Sequence, residues 1–161
     1  MDNQIELRPI GAEDEPFLFT VYANTRYEEL AQVAWSQKEK EIFLRQQFQF
    51  QHSQYMENYL DAEFKIIKID DVDAGRLYSD VWKKEIRIID IAILPEYRNR
   101  GCGTVLIKEI QEKAASQDKK VSIHVEKNNP ALGLYHRLGF KETEDKEVYW
   151  LLEWEPVSTD K

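Results

Sequence analysis

The sequence has one cysteine, Cys102, and few of the residues that interrupt regular structure, with six glycines and five prolines among 161 residues. A single cysteine cannot form an intrachain disulfide, and no Cys/His cluster has the spacing of metal ligands. The scarcity of glycine and proline argues against a fibrous or disordered chain. We therefore expect a globular protein of a reducing, cytoplasmic compartment that binds no metal.

Long apolar runs and an excess of positive charge are also absent. No stretch approaches the ~18 consecutive apolar residues of a membrane-spanning helix, and residues 1–10 lack the apolar segment of a signal peptide. The 22 Lys and Arg residues are outnumbered by 30 Asp and Glu residues, which gives a formal net charge of −8 with the two signs interleaved. This balance disfavours nucleic acid as a partner, and the sequence indicates neither secretion nor a membrane.

Bulky apolar residues are plentiful, with four Trp, eight Tyr and seven Phe. A chain of this length hides roughly two-thirds of its unfolded surface, so it can build a full core without crosslinks. We expect one domain over residues 1–155 and a polar C-terminal tail over residues 156–161.

Hydrophobic periodicity predicts strands and helices in the order β, α, α, β, β, β, α, β, α, β, β, which is typical of a mixed α+β layer fold. The strand–helix–strand unit over 86–125 predicts a parallel crossover. The predicted strands lie at 5–10, 64–69, 74–82, 86–94 and 121–125, and a hairpin follows at 140–143 and 147–154. One helix is predicted after Pro16, and a second from the capping box of Ser36 and Glu39 to about Tyr59. A third helix is predicted at 104–116, with Val105, Leu106, Ile110 and Ala114 on its apolar face, and a fourth at 131–138, closed by Gly139.

The strongest local signal is a loop between a hydrophobic strand and a helix, with the sequence Arg98-Asn99-Arg100-Gly101-Cys102-Gly103-Thr104. Its glycines let the backbone approach a ligand, the helix start presents N–H groups, and the arginines add positive charge. The loop lacks the Gly-Lys-Ser/Thr of a Walker A motif and the three-glycine spacing of a dinucleotide fingerprint. It predicts an anion site of another kind, and a plain solvent loop is the alternative.

A second signal joins a strand, a helix and a new strand through Asn128-Asn129-Pro130-Ala131-Leu132-Gly133-Leu134-Tyr135-His136-Arg137-Leu138-Gly139-Phe140. Together the two segments resemble the GNAT superfamily of acyl-CoA-dependent N-acetyltransferases. The acetyl-CoA loop of that family, Arg/Gln-x-x-Gly-x-Gly/Ala, is matched by Arg98, Gly101 and Gly103. Its later segment, Asn-x-x-Ala-x-x-Leu-Tyr-x-x-Leu-Gly-Phe, is matched by Asn128, Ala131, Leu134, Tyr135, Leu138, Gly139 and Phe140. The resemblance covers about residues 74–154, and residues 22–35 also resemble the N-terminal region of a bacterial group of GNAT proteins.

The resemblance implies the GNAT fold, a central mixed, mostly antiparallel twisted sheet of about seven strands with about four helices and a splayed parallel strand pair. It also implies acetyl-CoA as co-substrate, without a metal. The pantetheine arm would pair with the backbone of Ile91, Ala92 and Ile93. The pyrophosphate would accept hydrogen bonds from backbone amides over 99–104, with Cys102 as a space-filling residue. Asn128 is either a cofactor contact or a helix N-cap.

The resemblance also suggests catalytic roles. Tyr135 matches the family tyrosine that protonates the thiolate leaving group, and a phenol with a pKa near 10 suits that task. Simple packing of the helix is the alternative role for Tyr135. The general base is open, with Asp90 as the first candidate, acting directly or through water. The other candidates are Glu85, Glu126 and His124, of which His124 is expected on a short buried strand.

The expected activity is transfer of an acetyl group to a primary amine by direct attack, on a small cationic amine or a peptide amine. The negative charge of the protein favours a cationic acceptor. Acceptor binding is expected over residues 25–59, with Glu28, Glu29 and Trp35 as substrate-binding residues. A non-catalytic module that binds or senses acyl-CoA is the rival interpretation, and a homodimer is compatible with the sequence.

Overall fold

A computed structural model describes residues 4–157, which contain seven strands and four α-helices. Of the expected polar tail, residues 158–161 lie outside this part. The elements in chain order are β1 (Ile5–Pro9), a 3₁₀ turn (Ala12–Asp14), α1 (Glu15–Ala31), α2 (Gln37–Asn58), β2 (Glu63–Ile69), β3 (Val72–Val81), β4 (Glu85–Ile93), a 3₁₀ turn (Pro95–Tyr97), α3 (Cys102–Ser116), β5 (Lys120–Glu126), α4 (Leu132–Arg137), β6 (Lys141–Lys146) and β7 (Tyr149–Trp154).

The strands form one sheet in the order β1-β2-β3-β4-β5-β7-β6. β4 and β5 run parallel, whereas β1 with β2, β5 with β7 and β6 with β7 run antiparallel. The predicted mixed, mostly antiparallel sheet with one parallel crossover is thus confirmed. Over residues 4–157, no helix combines the length and apolar character needed to cross a membrane.

Local sequence signals predict where two helices begin. Ser36 Oγ accepts a hydrogen bond from the Glu39 N–H, and Glu39 accepts one from the Ser36 N–H, each at 3.1 Å. This is the predicted capping box, and α2 begins directly after it. α3 begins at Cys102, two residues before the predicted start at Thr104.

The described residues fall into two compact units. The first comprises the residues up to Leu77 together with Ala92–Tyr97, and the second comprises Tyr78–Ile91 and the residues from Arg98 onward. In the first unit, Leu18 of α1 and Phe48 of α2 are almost fully buried. The ring of Phe48 packs edge-on against the ring of Phe19 on α1.

In the second unit, α3 buries a stripe that differs in part from the predicted one. Leu106 and Ala114 are buried as predicted, and Ile107 and Gln111 are buried with them. Val105 is exposed, so its expected place on the apolar face was wrong. The helix starts earlier than predicted and presents Ile107 rather than Val105 to the core, while the Gln111 side chain donates to the Leu138 carbonyl at 2.9 Å.

A charged cluster connects three segments of the first unit. Arg8 on β1 donates two hydrogen bonds to the carboxylate of Asp14, at 2.8 and 2.9 Å, and a third to Asp73 on β3 at 2.9 Å. The Asp14 carboxylate also accepts from the Gly11 N–H. These bonds hold the pKa of the buried Asp14 below its usual value, because the carboxylate form is the better acceptor.

We expect Asp14→Asn to lower the free energy of unfolding by about 1–3 kcal/mol at pH 7, the usual range for a lost charge-assisted hydrogen bond. Because the folded pKa of Asp14 lies below its unfolded value near 4, its contribution is complete above that value and declines as pH falls through the folded pKa. Urea unfolding of the parent and the variant should therefore give curves that converge below about pH 4. Glu41→Gln, which removes an exposed helical ion pair with Arg45, is the control and should change stability by less than about 0.5 kcal/mol.

Candidate active site

The parallel pair of β4 and β5 has a short paired segment. Its register extends from Glu85 opposite Lys120 to Ile88 opposite Ile123. Both strands continue beyond the last pair, β4 through residues 89–93 and β5 through residues 124–126. The backbone that follows Ile88 on β4 contains Asp90 and the three residues predicted to pair with pantetheine.

A glycine of β3 allows the last residues of β4 to pass close to the β3 backbone in the first unit. The Leu94 N–H donates to the Ala74 carbonyl at 2.8 Å. A Cβ on the adjacent Gly75 would overlap the Ala92 carbonyl oxygen and lie 3.0 Å from the Ile93 Cα. Sequence reasoning missed Gly75, although an isolated glycine within a strand pattern is a known signal of close backbone approach.

We expect Gly75→Ala to lower the free energy of unfolding by about 1–3 kcal/mol, the usual cost of an overpacked core, because the backbone of β4 must move. Gly11→Ala is the matched control in the same unit, since the atoms nearest to its Cβ would belong to the flexible carboxylate of Glu13. Denaturant unfolding of both variants measures the effect. Equal stability of Gly75→Ala and the parent protein would contradict the close approach.

The loop before α3 has the backbone conformation of an anion cradle. Asn99 and Gly101 both have positive φ values, 62° and 79°. The first turn of an α-helix carries N–H groups without acceptors inside the helix, and the cap residue Gly101 supplies no side-chain acceptor. A Cβ on Gly101 would meet no atom within 4 Å, so the space in front of the loop is open. Arg98 and Arg100 are exposed beside it, and the loop therefore fits a pyrophosphate.

Tyr135 of α4 is buried, with 4% of its surface exposed. Burial, reinforced by the negative charge of Asp90, raises the pKa of the Tyr135 hydroxyl far above its usual value. The structure therefore brings the two predicted catalytic residues close enough to interact electrostatically. The phenol stays protonated at physiological pH and is a weaker acid than an exposed tyrosine.

A helix-ending turn fixes the position of Tyr135. Gly139 has a φ of 94°, its N–H donates to the His136 carbonyl, and the Phe140 N–H donates to the Tyr135 carbonyl, both at 3.0 Å. These two bonds define a Schellman motif. The turn packs the Phe140 ring edge-on against the Tyr135 ring, with centroids 5.5 Å apart. The predicted glycine stop at 139 is confirmed, and it places Phe140 against Tyr135.

The start of α4 corrects one expectation. Its N-cap is Ala131, whose N–H donates to Asn129 Oδ1 at 2.8 Å. Asn128 is exposed and is not the N-cap, since that position is Ala131, which makes no side-chain cap. The interpretation of Asn128 as a helix cap was therefore wrong, and its role as a cofactor contact stays a prediction.

Two of the alternative general bases belong to a hydrogen-bonded cluster. Glu85 accepts from Ser122 Oγ, and His124 Nδ1 lies 3.2 Å from Arg87 Nη1. His124 is exposed, contrary to its expected burial. Its side chain projects from the sheet face opposite the buried Val121, Ile123 and Val125. Glu126 is half-buried at the end of β5.

The predicted acceptor residues lie on α1 and in the turn that follows it. Glu29 forms an ion pair with Arg26 at 3.2 Å, and Glu28 is exposed. Trp35 packs edge-on against Phe43, with ring centroids 5.3 Å apart. Their role in acceptor binding stays a prediction.

Several proteins similar to this chain are named as acetyltransferases. The profile of the acetyltransferase (GNAT) family matches residues 24–140. An N-alpha-acetyltransferase of Sulfurisphaera tokodaii is 34% identical over 71 residues, which is 42% of this chain and 42% of that protein. A Bacillus subtilis protein, provisionally named a ribosomal-protein alanine N-acetyltransferase, is 33% identical over 84 residues, or 50% of this chain and 54% of that protein. The chain therefore spans only about half the length of these curated relatives.

The fold is shared with solved structures. The PaiA N-acetyltransferase of Thermoplasma acidophilum, crystallised in complex with coenzyme A, matches with a TM-score of 0.71 at 19% identity. The match covers 95% of this chain and 99% of that one. At this level of identity the likeness concerns the fold.

Proposed function

Because the chain belongs to the acetyltransferase (GNAT) family, we propose that it transfers the acetyl group of acetyl-CoA to a primary amine by direct attack. The observation that carries the proposal is the open helix start before α3, where the positive φ values of Asn99 and Gly101 suit an anionic cofactor. Tyr135 and Asp90 would supply the proton transfers. An acid that stays protonated and a carboxylate that accepts a proton are the two groups that aminolysis of a thioester needs.

The cradle before α3 supports binding of the cofactor pyrophosphate. Backbone amides over 99–104 would donate to its oxygens, and Arg98 and Arg100 would supply positive charge in an otherwise acidic protein. The backbone of residues 91–93 would hold the pantetheine arm in a gap that opens beyond the last β4–β5 pair, here called the cofactor gap. Asn128, which follows β5, would provide a further polar contact.

Bound acetyl-CoA supplies an activated thioester. Asp90 would accept the proton of the attacking amine as the C–N bond forms, directly or through one water. Tyr135 would donate to the sulfur as the C–S bond breaks, so that CoA leaves as a thiol. The raised pKa of Tyr135 keeps its proton on the oxygen until negative charge develops on the sulfur. Glu85, Glu126 and His124 stay the alternative candidates for the base.

The acceptor class is the finer part of the proposal. The names of the two curated relatives favour an α-amine at a peptide N-terminus as the first acceptor to try. Glu28, Glu29 and Trp35 would bind the acceptor, since a carboxylate attracts a cationic amine and an indole packs against an apolar side chain. A small polyamine or amino sugar is the second choice. We also propose that the protein acts in the cytoplasm, in keeping with its single cysteine.

A thiol-release assay with acetyl-CoA and a panel of amines tests this function. The panel should contain peptides with free and blocked N-termini, a polyamine and an amino sugar. We expect thiol release only with a free amine. Tight binding of acetyl-CoA in calorimetry without modification of any acceptor would instead favour a module that senses acyl-CoA.

A further inference from the structure

Four side chains connect β4 and β5 across the paired segment. We call them the Arg87 cluster, and it consists of Glu85 and Arg87 on β4 with Ser122 and His124 on β5. Arg87 Nε donates to Ser122 Oγ at 2.7 Å, Ser122 Oγ donates to Glu85, and Arg87 Nη1 lies 3.2 Å from His124 Nδ1. Ser122 is fully buried, and the Trp82 ring lies 4.8 Å from the guanidinium. The cluster therefore fixes both strands to one arginine.

The cluster lies where the β4–β5 register ends. Arg87 is directly opposite Ser122, in the pair before the last one, and His124 follows the last pair of Ile88 and Ile123. The contact of Arg87 with His124 is thus a cross-strand link beyond the final ladder pair. The contact of Arg87 with His124 therefore lies next to the proposed cofactor gap.

The chemistry of the Arg87–His124 contact defines the state of the imidazole. A guanidinium only donates hydrogen bonds, so Nδ1 of His124 must accept and its proton must be on Nε2. Protonation of His124 would remove this acceptor and place two cations 3.2 Å apart. The Arg87–His124 link therefore exists only with a neutral imidazole.

Charged groups of both signs act on His124. Besides Arg87, Lys146 on β6 disfavours a positive imidazole, whereas Glu144 on β6 and Glu85 on β4 favour it, and the partner of His124 on β7 is the apolar Leu151. Although His124 is exposed at the surface, partial desolvation of its ring by neighbouring groups, followed by the charges of Arg87 and Lys146, lowers its pKa. The neutral form thus prevails at neutral pH.

We propose that Arg87 and His124 are positioning residues that keep the β4 and β5 ends at the separation required by the pantetheine arm, so that protonation of His124 weakens acetyl-CoA binding. This inference rests on the proposed function. By linkage, acetyl-CoA that prefers the neutral form must also make His124 harder to protonate. The loss of acetyl-CoA affinity on protonation of His124 and the shift of the His124 titration on acetyl-CoA binding have the same magnitude. Each can be measured separately.

Calorimetric titration of the full chain with acetyl-CoA between about pH 8 and pH 5.5 provides the first measurement. The 3′-phosphate of acetyl-CoA titrates in the same pH range and changes the affinity of every variant. The contribution of His124 is therefore the difference in pH dependence between the parent and His124→Asn. Asn places an acceptor where Nδ1 was and cannot be protonated. We expect equal affinity within about twofold at pH 8. At the lowest pH the loss of affinity should be at least about twofold larger in the parent, because only the protonated fraction of His124 contributes to it.

His136→Asn is the matched control, because His136 pairs with Glu142 rather than with an arginine, and it should keep the parent pH profile. The second measurement is the NMR titration of the His124 C2–H, whose midpoint should fall when acetyl-CoA saturates the protein. A parent-like pH profile in His124→Asn, or an unchanged midpoint, would overturn the inference. Failure of acetyl-CoA to bind the parent at any pH would contradict the proposed function itself.

Discussion

Tyr135→Phe is expected to lower kcat by about 10²–10⁴-fold, the usual contribution of general acid catalysis, while the Kd for acetyl-CoA stays within about twofold. The substitution removes only the hydroxyl, and the phenylalanine ring can keep its edge-on contact with Phe140. The effect should therefore appear in turnover and leave cofactor binding unchanged. Steady-state thiol release gives kcat, and calorimetry gives the Kd.

Tyr149→Phe is the control for this experiment, because Tyr149 is a partly exposed tyrosine on β7. It should leave kcat within about twofold of the parent. A decrease of less than threefold in Tyr135→Phe, with chemistry shown to be rate-limiting, would mean that solvent or another residue protonates the leaving thiolate.

Replacement of Gly101 should have the largest effect on cofactor affinity. We expect Gly101→Asn to raise the Kd for acetyl-CoA at least tenfold, which corresponds to about 1.4 kcal/mol. Asparagine tolerates the positive φ of this position better than other side chains, as Asn99 already does in the same loop. Because the added side chain would point into open space, the loop should keep its shape while the ligand loses its site. Calorimetry measures the change.

A bulky residue at Gly103 is expected to weaken acetyl-CoA binding in the same direction, since it too would block close approach of the ligand to the backbone. Gly133→Ala is the control outside the loop, with its Cβ near only the flexible end of Arg137, and it should bind acetyl-CoA like the parent. Parent-like affinity in the variants at both 101 and 103 would reject the cradle as the pyrophosphate site.

Features encoded by residues near each other in sequence could be predicted. The capping box of Ser36 and Glu39, the loop before α3 and the glycine stop at 139 each depend on a few consecutive residues. Their backbone conformations follow from local hydrogen bonding and from the φ values that glycine permits. The order of strands and helices along the chain and the parallel crossover over residues 86–125 could be predicted because strand periodicity and the motif resemblance agreed.

Features that depend on register between distant segments could not be predicted. Arg8 meets Asp73 only when β1, β2 and β3 pair in the observed order, and the glycine at 75 matters only because Ala92 lies opposite it. The Arg87–Ser122 contact likewise requires the register of two strands separated by a helix. The exposure of Val105 and the burial of Ile107 depend on which side of α3 packs against the rest of the second unit, and this is set by tertiary packing rather than by the local sequence.

Mass spectrometry of an acceptor peptide after incubation with isotopically labelled acetyl-CoA tests the central claim most directly. The peptide should have a free N-terminus and no lysine, and a peptide with a blocked N-terminus should be incubated in parallel. We predict that the labelled acetyl group appears on the N-terminal nitrogen of the free peptide with the parent protein and at a far lower rate with Tyr135→Phe. Absence of label from this peptide, and from a polyamine and an amino sugar treated in the same way, despite bound acetyl-CoA, would contradict acyl transfer as the function.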